Sequence, residues 1–138
     1  VVLIPITDDG KVLLIRQYRQ AAELFILEAS AGTREAGESP EVTAHRELQE
    51  EVGYKAGRLI PIGGSWVAPG YSTEYCYIYI ATELEPAPLP SDDGEDIVVE
   101  EVDFDDLHQL IEEGELEDQM SIAALLSAKH VFSEHIRS

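Results

Sequence analysis

Three glutamates, Glu47, Glu50 and Glu51, stand at i, i+3 and i+4. On a helix that spacing turns all three side chains toward one patch. Carboxylates packed so closely repel and raise one another's pKa unless a cation neutralises them. Hard oxygen donors in that number suit Mg²⁺ or Mn²⁺, which act as Lewis acids in phosphate chemistry. The competing reading is a solvated acidic face, which a chain with 28 Asp and Glu against 9 Lys and Arg also invites.

The segment that presents these acids reads as a helix. Ser39 can cap it, Pro40 suits its first turn and Gly53 stops it. At about 100° per residue, Val42, His45, Leu48 and Val52 fall on one side and are expected to seat on a core. The three glutamates fall on the other. Arg46 lies four residues before Glu50, within reach of a helical ion pair. Before the helix, Ala29 to Glu38 is a glycine-containing loop. Val1 to Thr7 and Lys11 to Arg16 are apolar runs around the turn signal Asp8-Asp9-Gly10, which predicts a β-hairpin.

Further strands are predicted at Leu24 to Glu28, Arg58 to Gly63, Tyr75 to Ala81 and Ile97 to Phe104. In the third of these, Tyr75, Tyr77 and Tyr79 alternate with Cys76, Ile78 and Ile80. Glu85 to Asp96 is a Pro- and acid-rich loop. Helices are predicted from about Asp106 to Glu113, ended by Gly114, and from about Ser121 to Glu134. The class is α/β with a mixed sheet, in a single domain over residues 1–138.

Of the residues, 44 % are hydrophobic, enough for a core. The net charge, 9 − 28 = −19, argues against a nucleic-acid partner or an anionic membrane surface. So acidic a chain can still reach phosphates through divalent cations. The single cysteine, Cys76, excludes an internal disulfide and fits a reducing compartment. No apolar run nears the roughly 20 residues of a membrane span, and no basic-then-apolar leader is present. The expectation is a cytoplasmic protein. His45, His108, His130 and His135 form no zinc spacing, and Cys76 and Trp66 are expected to pack.

Gly32, Glu38, Arg46, Glu47, Leu48, Glu50, Glu51 and Gly53 together resemble the Nudix box, the signature of the Nudix hydrolase superfamily. Tyr54 stands where the family pattern has an aliphatic residue, and its ring can fill the same apolar slot. The resemblance implies the Nudix fold, an α/β/α sandwich around a mixed β-sheet, spanning essentially the whole chain. It implies hydrolysis of a nucleoside diphosphate linked to a second moiety. Glu47 and Glu51 would be the main ligands of two or three Mg²⁺ ions, with Mn²⁺ as substitute. Glu50 would assist directly or through water, and the Ala31 carbonyl would supply a further oxygen. Arg46 would orient the carboxylates, and Gly32, Glu38 and Gly53 would support the loop and helix geometry.

Three further stretches resemble the ADP-ribose pyrophosphatase and nucleoside diphosphate sugar hydrolase branch. Arg16-Gln17-Tyr18-Arg19 is similar to its segment preceding the box, and Arg19 suits a diphosphate clamp. Pro69 stands at the distance after Gly53 that marks the subgroup, so Ala68 to Glu74 looks like its substrate loop, with Gly70 and Glu74 as contacts. Gly94-Glu95-Asp96 ends the acidic loop where the subgroup carries its catalytic glutamate, which places Glu95 first, as general base or metal ligand, and Asp93 second. Competing readings stand beside each. Arg19 is otherwise a surface arginine, Glu28 is a ribose acceptor or an exposed strand residue, and Gly70 serves a ligand or an ordinary Pro-Gly turn. The loop acids Asp92, Asp93, Glu95 and Asp96 are otherwise simply solvated.

Two departures accompany the resemblance. Ser30 occupies a position where the subgroup has proline, and the subgroup's extra N-terminal strands, often exchanged in a homodimer, are absent from this sequence. The resemblance implies a homodimer acting on ADP-ribose to give AMP and ribose 5-phosphate. The alternatives are GDP-mannose or another nucleoside diphosphate derivative as substrate, or a non-catalytic nucleotide sensor. Such sensors lose box carboxylates, and this chain keeps them.

Overall fold

The computed structural model describes residues 1–91 and 96–133. Val2–Pro5 (β1) is wholly buried, and Lys11–Arg19 (β2) is buried without alternation over residues 12–15. Such strands belong in a middle layer covered on both faces. Val2, Ile4, Val12 and Leu14 face one core, and Leu3, Leu13 and Ile15 face another.

This double burial corrects the expected hairpin. The turn forms, with Gly10 at φ +83° and the Thr7 amide bonded to the Lys11 carbonyl at 2.8 Å. The two strands meet only at the Ile6–Val12 bridge and then part into separate sheets. A continuous hairpin would have kept the apolar runs Val2–Pro5 and Val12–Ile15 in one ladder. Instead each becomes an inner strand of its own sheet.

The first sheet contains Ser30–Ala31 (β4), β1, Tyr75–Pro86 (β6) and Tyr54–Trp66 (β5), in that order. It is mixed: β1 runs parallel to β6, and the other pairings are antiparallel. The second sheet sets Leu24–Glu28 (β3) and Val98–Asp103 (β7) antiparallel to either side of β2. The expected strand Arg58 to Gly63 is therefore only the middle of β5, which bulges between Pro61 and Gly64 with Gly63 at φ +104°. In β6 the alternation holds: Cys76, Ile78 and Ile80 are buried, while Tyr75 and Tyr77 stay substantially exposed.

Helices cover both faces. Leu107–Glu112 (α2) and Gln119–Val131 (α3) close the larger core, to which Leu107, Leu125 and Ala128 contribute. Pro40–Glu47 (α1) closes the smaller one. Ser39 caps α1 through its Oγ, which accepts from the Val42 amide at 3.2 Å. Beyond Glu47 the helix widens into a π turn over Leu48–Val52, closed by the Gly53 amide on the Leu48 carbonyl at 3.0 Å, with Gly53 at φ +84°.

The burial pattern corrects the expected helix face. Val42 is 52 % exposed, whereas Ala44, Leu48 and Val52 are buried. Ala44, Leu48 and Val52 stand at i, i+4 and i+8 and share one face, and Val42 falls outside it. Tyr54 packs beside this core. Among the described residues no helix is long and apolar enough to cross a membrane.

Candidate active site

Gly32 sits where β4 leaves its sheet, and α1 passes directly over it. A Cβ built on Gly32 would lie 2.1 Å from Cδ of Glu47. Glycine here makes room for a carboxylate.

Arg46 organises the acids. Its Nε and Nη2 donate to Oε2 and Oε1 of Glu38 at 3.0 and 2.9 Å. Nη1 donates to Glu47 Oε1 at 2.9 Å and reaches Glu50 Oε2 at 3.4 Å, the ion pair the spacing predicts. Glu38 Oε1 also accepts from the Glu35 amide at 2.8 Å and the Thr43 hydroxyl at 3.0 Å. Arg46, with these donors, holds the Glu38 carboxyl down at about 2. Arg46 itself is raised, chiefly by its bond to Glu38.

Glu51 behaves in the opposite way. Burial first, then its hydrogen bond and charge repulsion with Glu47, push it up to about 8. Ser30 Oγ donates to its Oε1 at 3.3 Å and the Ala31 amide donates as well, both opposing the rise. The position where the subgroup has proline thus supplies a hydroxyl to a site carboxylate.

The glutamates do not form the solvated acidic face of the competing reading. Glu47 and Glu50 have side chains only 12 % and 17 % exposed. Nor are they a finished oxygen cage. Among the described residues no three acidic, His or Cys side chains are gathered at ion-holding geometry. Like charges relax toward whatever neutralises them: Glu47 and Glu50 lean on Arg46, and Glu51 shares a hydrogen bond with Glu47.

The donor set nevertheless fits a divalent cation. Val1 and Gly32 exchange both backbone hydrogen bonds, at 2.9 and 3.1 Å. At the next pair, Val2 and Ala31, the peptide groups therefore point away from each other. The Ala31 carbonyl is thus turned off the β1 ladder, on an edge strand beside Glu51. Glu47, Glu51 and that carbonyl form a hard oxygen set, and a raised carboxyl beside a second carboxylate is a place where positive charge is favourable.

A cleft of about 410 Å³ opens over these acids, lined also by Gln17, Arg19, Arg34, Ser91 and Ile97. A second, of about 590 Å³, adjoins it along Thr73, Glu74, Tyr75 and Tyr77. Arg19 lines both. It is held by Glu28, a buried residue, through bonds of 2.8 and 2.9 Å to both carboxylate oxygens. Glu28 is therefore neither exposed nor unengaged; in this structure it orients Arg19. Glu74 lines the second cleft. Gly70 lies in the turn closed by the Ser72 amide on Ala68, with open space where a side chain would stand. Trp66 is 58 % exposed rather than packed inside, its ring edge-to-face with Tyr75 at 5.2 Å. Glu95, Asp92 and Asp93 lie outside the described residues, and Asp96 is exposed beside Tyr18 and Phe25.

Arg34, Thr33, Gln17, Tyr75 and Tyr77 were not singled out by sequence reasoning. Gln17 and the tyrosines carried a signal in strand alternation. Arg34 lies among the five residues between Gly32 and Glu38 that the box resemblance does not use, and it carried none.

A profile described as "NUDIX domain" matches residues 1–125. The chain belongs to the NUDIX domain family. Over 127 residues this NUDIX domain is 37 % identical to an ADP-ribose pyrophosphatase of Bacillus subtilis (strain 168), covering 91 % of this chain and 69 % of that protein. It is 32 % identical over 125 residues to the ADP compounds hydrolase NudE of Escherichia coli (strain K12), covering 91 % and 67 %. A GDP-mannose pyrophosphatase of Yersinia pestis (strain Pestoides F) is 32 % identical over 136 residues, covering 91 % and 68 %. Among solved structures, a crystal structure of an ADP compounds hydrolase superposes with a TM-score of 0.91 at 28 % identity, covering 99 % of this chain and 74 % of that one. The α/β/α arrangement of this NUDIX domain is thus shared with a protein of known structure.

Proposed function

We propose that the chain is a metal-dependent pyrophosphohydrolase that cleaves the diphosphate of ADP-ribose or a related nucleoside diphosphate sugar. The observation that carries this reading is Glu51, a half-buried carboxyl bonded to Glu47 and the Ala31 amide and lining an open cleft. Glu47, Glu51 and the Ala31 carbonyl would hold Mg²⁺, with Mn²⁺ as substitute and two or three ions in all. Bound there, such ions supply Lewis-acid stabilisation of phosphoryl charge and acidify water.

The chain's own residues do the rest. Arg46, fixed by Glu38, holds Glu47 and Glu50 in place. Arg19, fixed by Glu28, offers its guanidinium to the diphosphate. Glu95, or Glu50, takes the proton of the attacking water. The water oxygen bonds to one phosphorus as the bridging P–O bond breaks, and the bridging oxygen leaves with the other phosphate. ADP-ribose gives AMP and ribose 5-phosphate. Glu74 and the Gly70 turn contact the second moiety of the substrate. The reading includes a homodimer working in the cytoplasm, and the net charge of −19 supports a chain that binds neither nucleic acid nor an anionic membrane.

Relatives named for ADP-ribose and for GDP-mannose match over similar lengths, so a GDP-sugar preference is the second reading. A panel of ADP-ribose, GDP-mannose, UDP-glucose, diadenosine polyphosphates and modified dNTPs, compared by kcat/KM in Mg²⁺, separates them. No turnover of any, with tight nucleotide binding, overturns the hydrolase reading in favour of a sensor.

A further inference from the structure

The two clefts meet at one wall. Arg19, Ala31, Gly32, Thr33 and Arg34 line both. The first holds Glu47, Glu50 and Glu51, and the second runs along Glu74, Tyr75 and Tyr77. A ligand with two bulky ends joined by a diphosphate would place an end in or beside each cleft and its phosphates at the shared wall.

Charge on that wall is unevenly committed. Three arginines line the first cleft. Arg46 is bound to Glu38 and Glu47, and Arg19 to both oxygens of Glu28. Among the described residues no carboxylate pairs with Arg34, although its neighbour Glu35 lies 3.9 Å from Arg46. Arg34 is exposed, in a chain whose formal charge is −19. A cleft lined by Glu47, Glu50 and Glu51 repels a diphosphate. An uncommitted guanidinium at its rim opposes that repulsion and can hold phosphoryl oxygens through paired N–H donors.

We propose that Arg34 binds the diphosphate of a two-headed nucleoside diphosphate derivative at the junction of the clefts. This deepens the hydrolase reading and rests on it for the substrate class. Arg34 acts through its own charge and touches none of the box carboxylates, so its grip on phosphate does not require a divalent ion. It also lies outside the Arg46–Glu38 pair, so its loss leaves the carboxylates in place.

The test compares wild type, R34Q and R34K in three measurements. With ADP-ribose and Mg²⁺, R34Q is expected to raise KM at least tenfold with kcat within threefold, and R34K to recover most of the loss. In EDTA, calorimetric binding of ADP is expected to weaken at least tenfold in R34Q. The rise in Tm on adding Mg²⁺ is expected to be the same in R34Q as in wild type. A KM and an ADP Kd within twofold of wild type in R34Q would overturn the proposal. So would a fall in kcat together with loss of the Mg²⁺ shift, because Arg34 would then act through the carboxylates. If wild type cleaves no diphosphate while ADP binding in EDTA still depends on Arg34, the hydrolase reading fails and the binding role of Arg34 stands.

Discussion

Glu38 and Arg46 are joined by two hydrogen bonds, Nε to Oε2 at 3.0 Å and Nη2 to Oε1 at 2.9 Å, and the same guanidinium reaches Glu47 at 2.9 Å. One carboxylate thereby fixes the position of another through a shared arginine. Such supporting partners typically matter by roughly 10- to 100-fold in metal affinity or activity. Glu38→Gln is expected to lower kcat/KM by a factor in that range and to raise the Mg²⁺ concentration needed for half-maximal rate. Steady-state kinetics across a magnesium titration checks both.

The same pair has a pH signature. Glu38 is held at about 2, below its ordinary value of 4.5. A depressed carboxyl contributes stability above its unfolded pKa and loses it as pH falls through the folded one. Thermal unfolding between pH 5 and pH 2 is expected to show wild type losing more stability than Glu38→Gln.

Glu51 gives the reverse sign. Its folded pKa of about 8 exceeds the ordinary 4.5, so the folded chain binds more protons than the unfolded chain between those values. Without metal, stability therefore falls as pH rises from about 4.5 to about 8. Glu51→Gln removes this fall, and Mg²⁺ is expected to raise Tm more at pH 8 than at pH 6 in wild type only. Unfolding scans in EDTA and in Mg²⁺ measure it, and parallel pH profiles for wild type and variant would count against a buried raised carboxyl.

Gly32→Ala places a methyl group 2.1 Å from Glu47 Cδ. The obstructed atom belongs to the far end of a flexible side chain, so the fold is expected to survive with Tm in EDTA little changed. Glu47 is displaced, and kcat is expected to fall by at least about tenfold with a weaker response to Mg²⁺.

Leu48→Ala tests the seat of the π turn. Leu48 is fully buried against Leu3, Leu13 and Ala81. Its truncation is expected to cost about 2–5 kcal/mol, read from urea unfolding. Glu95→Gln tests the proposed base in parallel: retention of near wild-type kcat with metal in excess removes Glu95 from that role.

Much of the site was legible in the chain because it is local. Gly32, Glu38, Arg46 and the three glutamates lie within one loop and one helix, so their spacing already implied the ion pair to Glu50 and the place of the carboxylates. The alternation from Tyr75 to Ile80 foretold which side of β6 is buried, because side-chain period in a strand is strictly two. Other features depended on packing. Val42 looked core-facing, whereas the packed face runs through Ala44, Leu48 and Val52. The first two strands looked like a hairpin until burial on both faces sent them into different sheets.

By itself the sequence pointed to the family, through its resemblance to the Nudix box, and to the α/β class, through local strand and helix patterning. Only the tertiary structure decided that Glu28 engages Arg19, that Ser30 reaches Glu51 across 21 residues, and that Arg34 stands without an acidic partner among the described residues where two clefts meet. Those relationships join different elements of the fold, and charge and burial act through space rather than along the backbone.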